Sequence, residues 1–216
     1  MSIIIERFNK IKSNIKKIDN KKEKIIVAVS KTFSINHIMP LIDYGHEHYG
    51  ENKVQEAATK WSELRNKNKN IKLHMIGRLQ SNKAKKAVEI FDYIHSLDSQ
   101  KLADVLAKCQ TSINKFVKYF IQVNLGNEYQ KSGIAYNQVE PFYNYCVLEK
   151  KLDVIGLMAI PPNDGNQKKY FKDISELNSS LGLKNLSIGM SADYIEALKY
   201  NSTHLRIGSS IFGERS

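Results

Sequence analysis

Several short stretches of this chain are apolar at every position instead of at alternate ones, and Ile25-Ile26-Val27-Ala28-Val29 is the clearest. A strand with one wet face alternates apolar and polar residues. A strand apolar throughout is covered on both faces, as in parallel sheets flanked by helices. The first strand candidate runs over 25–30, and seven further ones follow at 47–50, 71–76, 93–97, 119–125, 154–159, 185–189 and 204–207. Helical patterns separate them, near 35–44, 53–66, 82–91, 101–112, 138–148, 169–181 and 193–200. Eight strands alternating with helices predict an α/β fold, a (β/α)8 barrel, with a doubly wound open sheet as the fallback. A chain of 216 residues is near the short end for that barrel, so one domain over 1–216 is expected.

Ahead of the first strand, Ile4, Phe8, Ile11, Ile15 and Ile18 recur at steps of four, three, four and three, one apolar stripe on a basic helix. Glu6, Asp19 and the shortage of arginine argue against a membrane-surface helix or presequence, and the stripe predicts an extra N-terminal helix packed on the domain body. No apolar run approaches the ~18 to 20 residues that span a bilayer, and no signal-peptide pattern opens the chain. Cys109 and Cys146 lie far apart, so neither a disulfide framework nor a metal site is expected. A cytoplasmic protein without a membrane partner is the expectation.

Lys+Arg number 33 against 22 Asp+Glu, a formal charge of +11. Arginine stands only at 7, 65, 78, 206 and 215, and the basic clusters at 21–24, 67–72, 83–86 and 168–172 lack interleaved aromatics. Base readout favours the arginine fork and single-strand binding needs aromatic platforms. The excess reads as a solvated lysine surface, and no nucleic-acid partner is expected.

On the barrel template, polar residues and glycines gather at the C-terminal strand ends, where barrel enzymes keep their sites. The first strand ends in Ser30-Lys31-Thr32, the second in Gly50-Glu51-Asn52, the seventh in Ser187-Ile188-Gly189-Met190-Ser191 and the eighth in Arg206-Ile207-Gly208-Ser209-Ser210. Lys31 follows five apolar residues, so its amine is expected to emerge into a pocket. Desolvation favours the neutral amine, the form that attacks an aldehyde. A lysine that merely reaches solvent from a strand end is equally compatible with this residue alone. Gly189, Gly208 and Gly213 permit close backbone approach, Ser191 can cap the following helix, and Ser209 and Ser210 add hydroxyls beside helix N–H groups, the makings of an anion site. A pocket with an amine at one end and a phosphate site at the other fits pyridoxal 5′-phosphate.

Ordered blocks of residues carry a family resemblance. They are Val27-Ala28-Val29-Ser30-Lys31-Thr32, Tyr49-Gly50-Glu51-Asn52-Lys53-Val54-Gln55-Glu56 and His74-Met75-Ile76-Gly77-Arg78-Leu79-Gln80-Ser81-Asn82-Lys83. They continue with Ile121-Gln122-Val123-Asn124, Lys131-Ser132-Gly133-Ile134, Gly156-Leu157-Met158, 186–193 and Arg206 through Arg215. From about residue 25 onward the chain resembles the pyridoxal phosphate homeostasis proteins. The resemblance implies a barrel of the alanine-racemase type (fold type III) with Lys31 as the Schiff-base lysine. It further implies Arg206 against the pyridine nitrogen, Ser191, Gly208 and Ser209 on the phosphate, and Asn52 beside the ring or the lysine. Tyr49, Met75 and Arg78 depart from the usual residues, which leaves the role of the third loop open. The sequence leaves open whether Lys83, Lys85 or Lys131 holds the cofactor transiently.

A guanidinium beside the pyridine nitrogen disfavours its protonation and weakens the ring as an electron sink. Racemisation would need a second acid/base on the opposite cofactor face; related racemases draw it from an additional domain, for which no residues are expected here. His74, Tyr49 and Asn124 are candidates by position only. The favoured expectation is a monomeric, non-catalytic carrier that supplies the cofactor to apo-enzymes, and the alternative is a small amino-acid racemase. RNA binding through the lysine surface is a third reading.

Overall fold

Strand β1 (Ile25–Val29) forms from the apolar run and pairs in parallel on both sides, with β2 (His48–Glu51) and with β9 (His204–Ile207). The structure, a computed structural model, describes residues 2–20, 23–126 and 132–214. Lys131, Arg215 and the first two residues of the cluster at 21–24 lie outside the described residues. Five more long strands follow: β3 (Lys72–Met75), β4 (Tyr93–Leu97), β5 (Lys118–Asn124), β7 (Asp153–Ala159) and β8 (Asn185–Met190). Their order is β4-β3-β2-β1-β9-β8-β7-β5, every pairing is parallel, and β4 pairs with β5 to close the barrel. All eight expected strands are present, with ends shifted by one residue at most positions. A ninth, β6 (Ile134–Ala135), hangs from β5 and is too short for a periodicity to announce.

The helices are α1 (Ile3–Ile18), α2 (Ile35–Asp43), α3 (Val54–Lys67), α4 (Ala84–Ile90), α5 (Gln100–Ile113), α6 (Val139–Asn144), α7 (Gln167–Ser180), α8 (Tyr194–Leu198) and α9 (Ser209–Phe212). The pattern expected as one helix over 138–148 divides instead: α6 runs on as a π-helical turn, Tyr145–Glu149. The single turn α9 lies beyond the seven helical patterns of the sequence.

Two shells of side chains hold the barrel. Outward residues such as Tyr49, Leu73, Tyr119 and Leu157 are wholly buried under the helices together with Trp61, Phe91 and Phe171. The inner shell is unusually polar. Val27, Phe120 and Met158 share it with His74, His95, Ser187 and His204, where branched aliphatics dominate in most barrels.

Helix α1 starts at Ser2, whose hydroxyl accepts from Ile4 N, and buries Ile4, Phe8, Ile11 and Ile15 against α2, α8 and α9. Each such side chain contributes about 1.5–3 kcal/mol by leaving water. Ile18 departs from the expected stripe. It is 41% exposed, because the helix ends there and Asp19 takes an extended backbone.

Candidate functional site

Lys31 leaves the top of β1 on a segment tied down on both flanks. Ser30 N donates to Gly50 O at 3.0 Å, and Ser30 Oγ donates to Glu51 Oε1 at 2.8 Å. From α3, Lys60 Nζ donates to Ser30 O and to Glu51 Oε1, both at 2.9 Å, and Trp61 Nε1 donates to the same carboxylate oxygen at 3.0 Å. On the other flank Thr32, at φ 69°, donates its N–H to Glu56 Oε1 at 2.8 Å. A non-glycine residue in the left-handed region costs energy, and the Glu56 bond offsets it. Lys31 is therefore presented from a rigid corner, half-buried.

The opposite wall is made by β8 and β9. Between the paired positions Ser187–His204 and Met190–Arg206, two residues of β8, Ile188 and Gly189, oppose the single Leu205 of β9, a bulge with Gly189 at φ +91°. A Cβ there would stand 2.7 Å from Ala197 Cβ and 3.0 Å from Tyr194 Cα. Only glycine can make this bend, which re-aims Met190 and Ser191. Ser191 was expected to cap the following helix; in the structure its hydroxyl instead accepts from Gly208 N at 3.2 Å and Ser210 N at 3.3 Å, across at the start of α9. Two backbone N–H groups thus converge on one oxygen.

Arg206, at the end of β9, is 4% exposed. Its Nη1 donates to Ser187 O at 2.6 Å and Ser187 Oγ at 2.7 Å, and Nη2 donates to Ala159 O at 2.9 Å. Burial lowers its pKa to about 10, which leaves it a full cation at neutral pH.

These walls enclose a cleft of about 520 Å3 at the C-terminal ends of the strands. Lys31, Asn52, Ser191, Arg206, Gly208 and Ser209 all line it. The structure adds an apolar lining that the reading of polar residues passed over: Val29, Phe33, Ile76, Ile160 and Met190. Strand-end positions could have named Val29, Ile76 and Met190; Ile160 follows β7 in a loop without a polar marker. Three residues considered as acid/base partners are not on the lining. His74 is wholly buried mid-barrel, Tyr49 packs outward against Trp61 with ring centroids 4.8 Å apart, and Asn124 ends β5. A larger cavity, about 800 Å3, opens at the other end of the barrel beside α1, and none of the six residues touches it.

Residues 7–216 match the family described as alanine racemase, N-terminal domain. A pyridoxal phosphate homeostasis protein of Synechocystis sp. is 38% identical over 199 residues, which cover 88% of this chain and 91% of that one. The chain belongs to the pyridoxal phosphate homeostasis family. Among solved structures of this kind, PipY of Synechococcus elongatus PCC7942, described with PLP bound, superposes with a TM-score of 0.86 at 30% identity, covering 97% of this chain and 100% of that one. An alanine racemase of Clostridium difficile 630 is similar over 94% of this chain and 55% of its own, at 14% identity and a TM-score of 0.71. That second likeness is one of fold: the homeostasis family and the racemases share the barrel.

Proposed function

We propose that this chain binds pyridoxal 5′-phosphate covalently through Lys31 and serves vitamin B6 homeostasis by supplying it to apo-enzymes in the cytoplasm. In this reading residues 1–216 act as one monomeric domain. The observation that carries it is the convergence of a lysine amine, a buried guanidinium and paired backbone N–H groups on one apolar-walled cleft.

The residues suit the cofactor at each of its ends. Lys31 supplies the amine for the aldehyde. Ser191, Gly208 and Ser209 line the other end of the cleft, where the Ser191 hydroxyl is held by the N–H groups of Gly208 and Ser210 at the start of α9, and these polar groups would receive the phosphate. Arg206 keeps two N–H groups beyond those given to Ser187 and Ala159 and would serve the pyridine nitrogen. Asn52 and the apolar residues that line the cleft would flank the ring. When bound, such a group supplies an aldehyde for imine chemistry and a ring able to accept electrons.

Carriage rather than turnover is favoured by the wall facing Lys31. A cationic Arg206 opposes protonation of the ring nitrogen and so limits electron withdrawal. Among the described residues no histidine, tyrosine or cysteine lines the cleft, and its one carboxylate, Glu214, is exposed at the rim. The relatives' names agree with this.

The test is the near-ultraviolet and visible spectrum of the purified protein with added cofactor, followed by borohydride reduction and mass mapping. Wild type should show the absorbance of an attached cofactor and trap it on Lys31, and Lys31→Ala should do neither. Undiminished trapping on another lysine overturns the assignment. Incubation with single-enantiomer amino acids separates the carrier from a racemase, since steady conversion to the mirror form would defeat the carrier reading.

A further inference from the structure

The barrel interior contains a hydrogen-bonded path that the binding reading leaves unused. Ser187 Oγ, which accepts from Arg206 Nη1, also lies 2.9 Å from His95 Nδ1. His95 Nε2 lies 2.9 Å from His74 Nδ1, and His74 Nε2 lies 2.9 Å from His48 Nδ1. His48 is partly exposed and lines the 800 Å3 cavity at the N-terminal end of the strands. The path therefore crosses the barrel from the cleft to the opposite mouth. Its ring planes are fixed by packing: His74 stacks on Tyr93 at 4.2 Å and His95 on Phe120 at 4.3 Å.

Counting donors gives the path a direction. Burial holds His74 and His95 well below the usual imidazole pKa, so each is neutral, with one N–H and one lone pair. Among the described residues Ser187 Oγ bonds only Arg206, which can only donate, and His95. The hydroxyl proton of Ser187 must then go to His95 Nδ1. His95 donates from Nε2 to His74 Nδ1, and His74 donates from Nε2 to His48 Nδ1. His48 carries its proton on Nε2, toward the lower mouth. The reverse order would leave the buried Ser187 hydroxyl without an acceptor, which is unfavourable.

We propose that Ser187, His95, His74 and His48 form a one-way hydrogen-bond chain that positions the Arg206 guanidinium, and that protonation of His48 at the far mouth reverses the chain and loosens this hold on the cleft. The positioning role rests on the cofactor reading of the cleft; the chain itself does not.

The reversal balances in protons. A protonated His48 has no lone pair and must donate from Nδ1 to His74 Nε2. His74 then holds its single proton on Nδ1 and donates to His95 Nε2, and His95 likewise donates from Nδ1 to Ser187 Oγ. Each proton of the chain moves one place toward His48, from Ser187 Oγ to His95 Nδ1, from His95 Nε2 to His74 Nδ1 and from His74 Nε2 to His48 Nδ1, and the one proton taken from water restores the Ser187 hydroxyl. Ser187 Oγ now accepts from both sides and its own proton has lost its partner, so the seat of Arg206 is disturbed.

Charged and titratable groups face His48 from every side. They are Glu23 and Lys24 before β1, Lys12 on α1, His46 and Glu47 beside it, Lys72 and His74 on β3, Asp92 and Tyr93 by β4, and His204 on β9 with Lys118 behind it. Burial lowers the His48 pKa, while Glu47, Asp92 and Glu23 favour its cation. His48 is the most exposed member of the chain, partly open to solvent where His74 and His95 are wholly buried.

The experiment is imidazole nitrogen NMR on the 15N-labelled, full-length, cofactor-free protein from pH 8 to 5.5, with the fold followed by circular dichroism. At pH 8 all three histidines should be Nε2–H tautomers. On acidification, His74 and His95 should switch to Nδ1–H with the same midpoint at which His48 becomes a cation. If His48 titrates while the other two keep their tautomers, the proposal is overturned. In parallel, the dissociation constant for pyridoxal phosphate is measured over the same range in wild type and His48→Gln, whose amide oxygen accepts from His74 but takes no proton. Wild type should lose about tenfold more affinity than the variant; equal slopes overturn the coupling to the cleft. Ser187→Ala should weaken binding about tenfold at pH 8 and abolish the slope. If no protein in the set binds the cofactor while the NMR coupling stands, the cofactor reading fails, and with it the positioning role.

Discussion

A single carboxylate, Glu51, gathers more of this site than its sequence context announces. Its Oε1 accepts from Ser30, Lys60 and Trp61, and it does so on the outer face of β2, away from the cleft. Removing one partner of a buried ion pair leaves the other charge without compensation. Glu51→Ala should therefore lower the unfolding free energy by about 3 kcal/mol in urea titrations. The same change should slow attachment of the cofactor to Lys31, because Ser30 loses its anchor. Wild-type stability in this variant would refute the clamp. On the opposite wall, Ser209→Ala should weaken retention of pyridoxal phosphate by about tenfold while leaving the thermal midpoint within a few degrees. Equal affinity of the wild type for pyridoxal and for its phosphate would count against an anion site at Ser191, Gly208 and Ser209.

The informative elements are β8 and α1. The bend at Gly189 carries Ser191 across to Gly208 and Ser210, so Gly189→Ala meets both a left-handed backbone and Ala197. It should cost about 1–3 kcal/mol and release cofactor faster than wild type; a variant equal to wild type in both respects would show the bulge to be dispensable. Helix α1 is bound by four side chains. Phe8→Ala, beside Tyr44 and His46, should cost about 3–5 kcal/mol. Ile18→Ala at the exposed end should stay within about 0.5 kcal/mol. Similar losses in the two variants would contradict the packed face.

For the whole molecule, a barrel lined with neutral histidines is sensitive to acid. Burial lowers His204 to about 3 and His46 to about 4, while the unfolded chain returns each to about 6.5. Below pH 6.5 the unfolded state binds protons that the folded state refuses, so stability falls as pH drops and recovers above that value. Each such group removes about 2 kcal/mol by pH 5. Urea midpoints should accordingly fall steeply between pH 6.5 and 5, and a flat profile would exclude neutral, buried histidines.

Much of the architecture was legible in the chain because continuous apolar runs such as 25–29 can be satisfied only between two layers. The strand tips were legible too, since Ser30-Lys31-Thr32 and Arg206-Ile207-Gly208-Ser209 place polar groups where a barrel opens. Short elements were not: α9 is one turn, β6 is two residues, and neither completes a period. By itself the sequence determined the alternation of strands and helices, the amphipathic first helix and the presence of an amine and glycine-flanked hydroxyls at strand ends, all consequences of local pattern. Only the tertiary structure decided that Ser191 caps α9, that Glu51 and Lys60 anchor the lysine segment, and that His48, His74 and His95 line up behind Ser187. Those partners come from strands and helices distant in sequence, and closure of the barrel is what brings them within hydrogen-bonding distance.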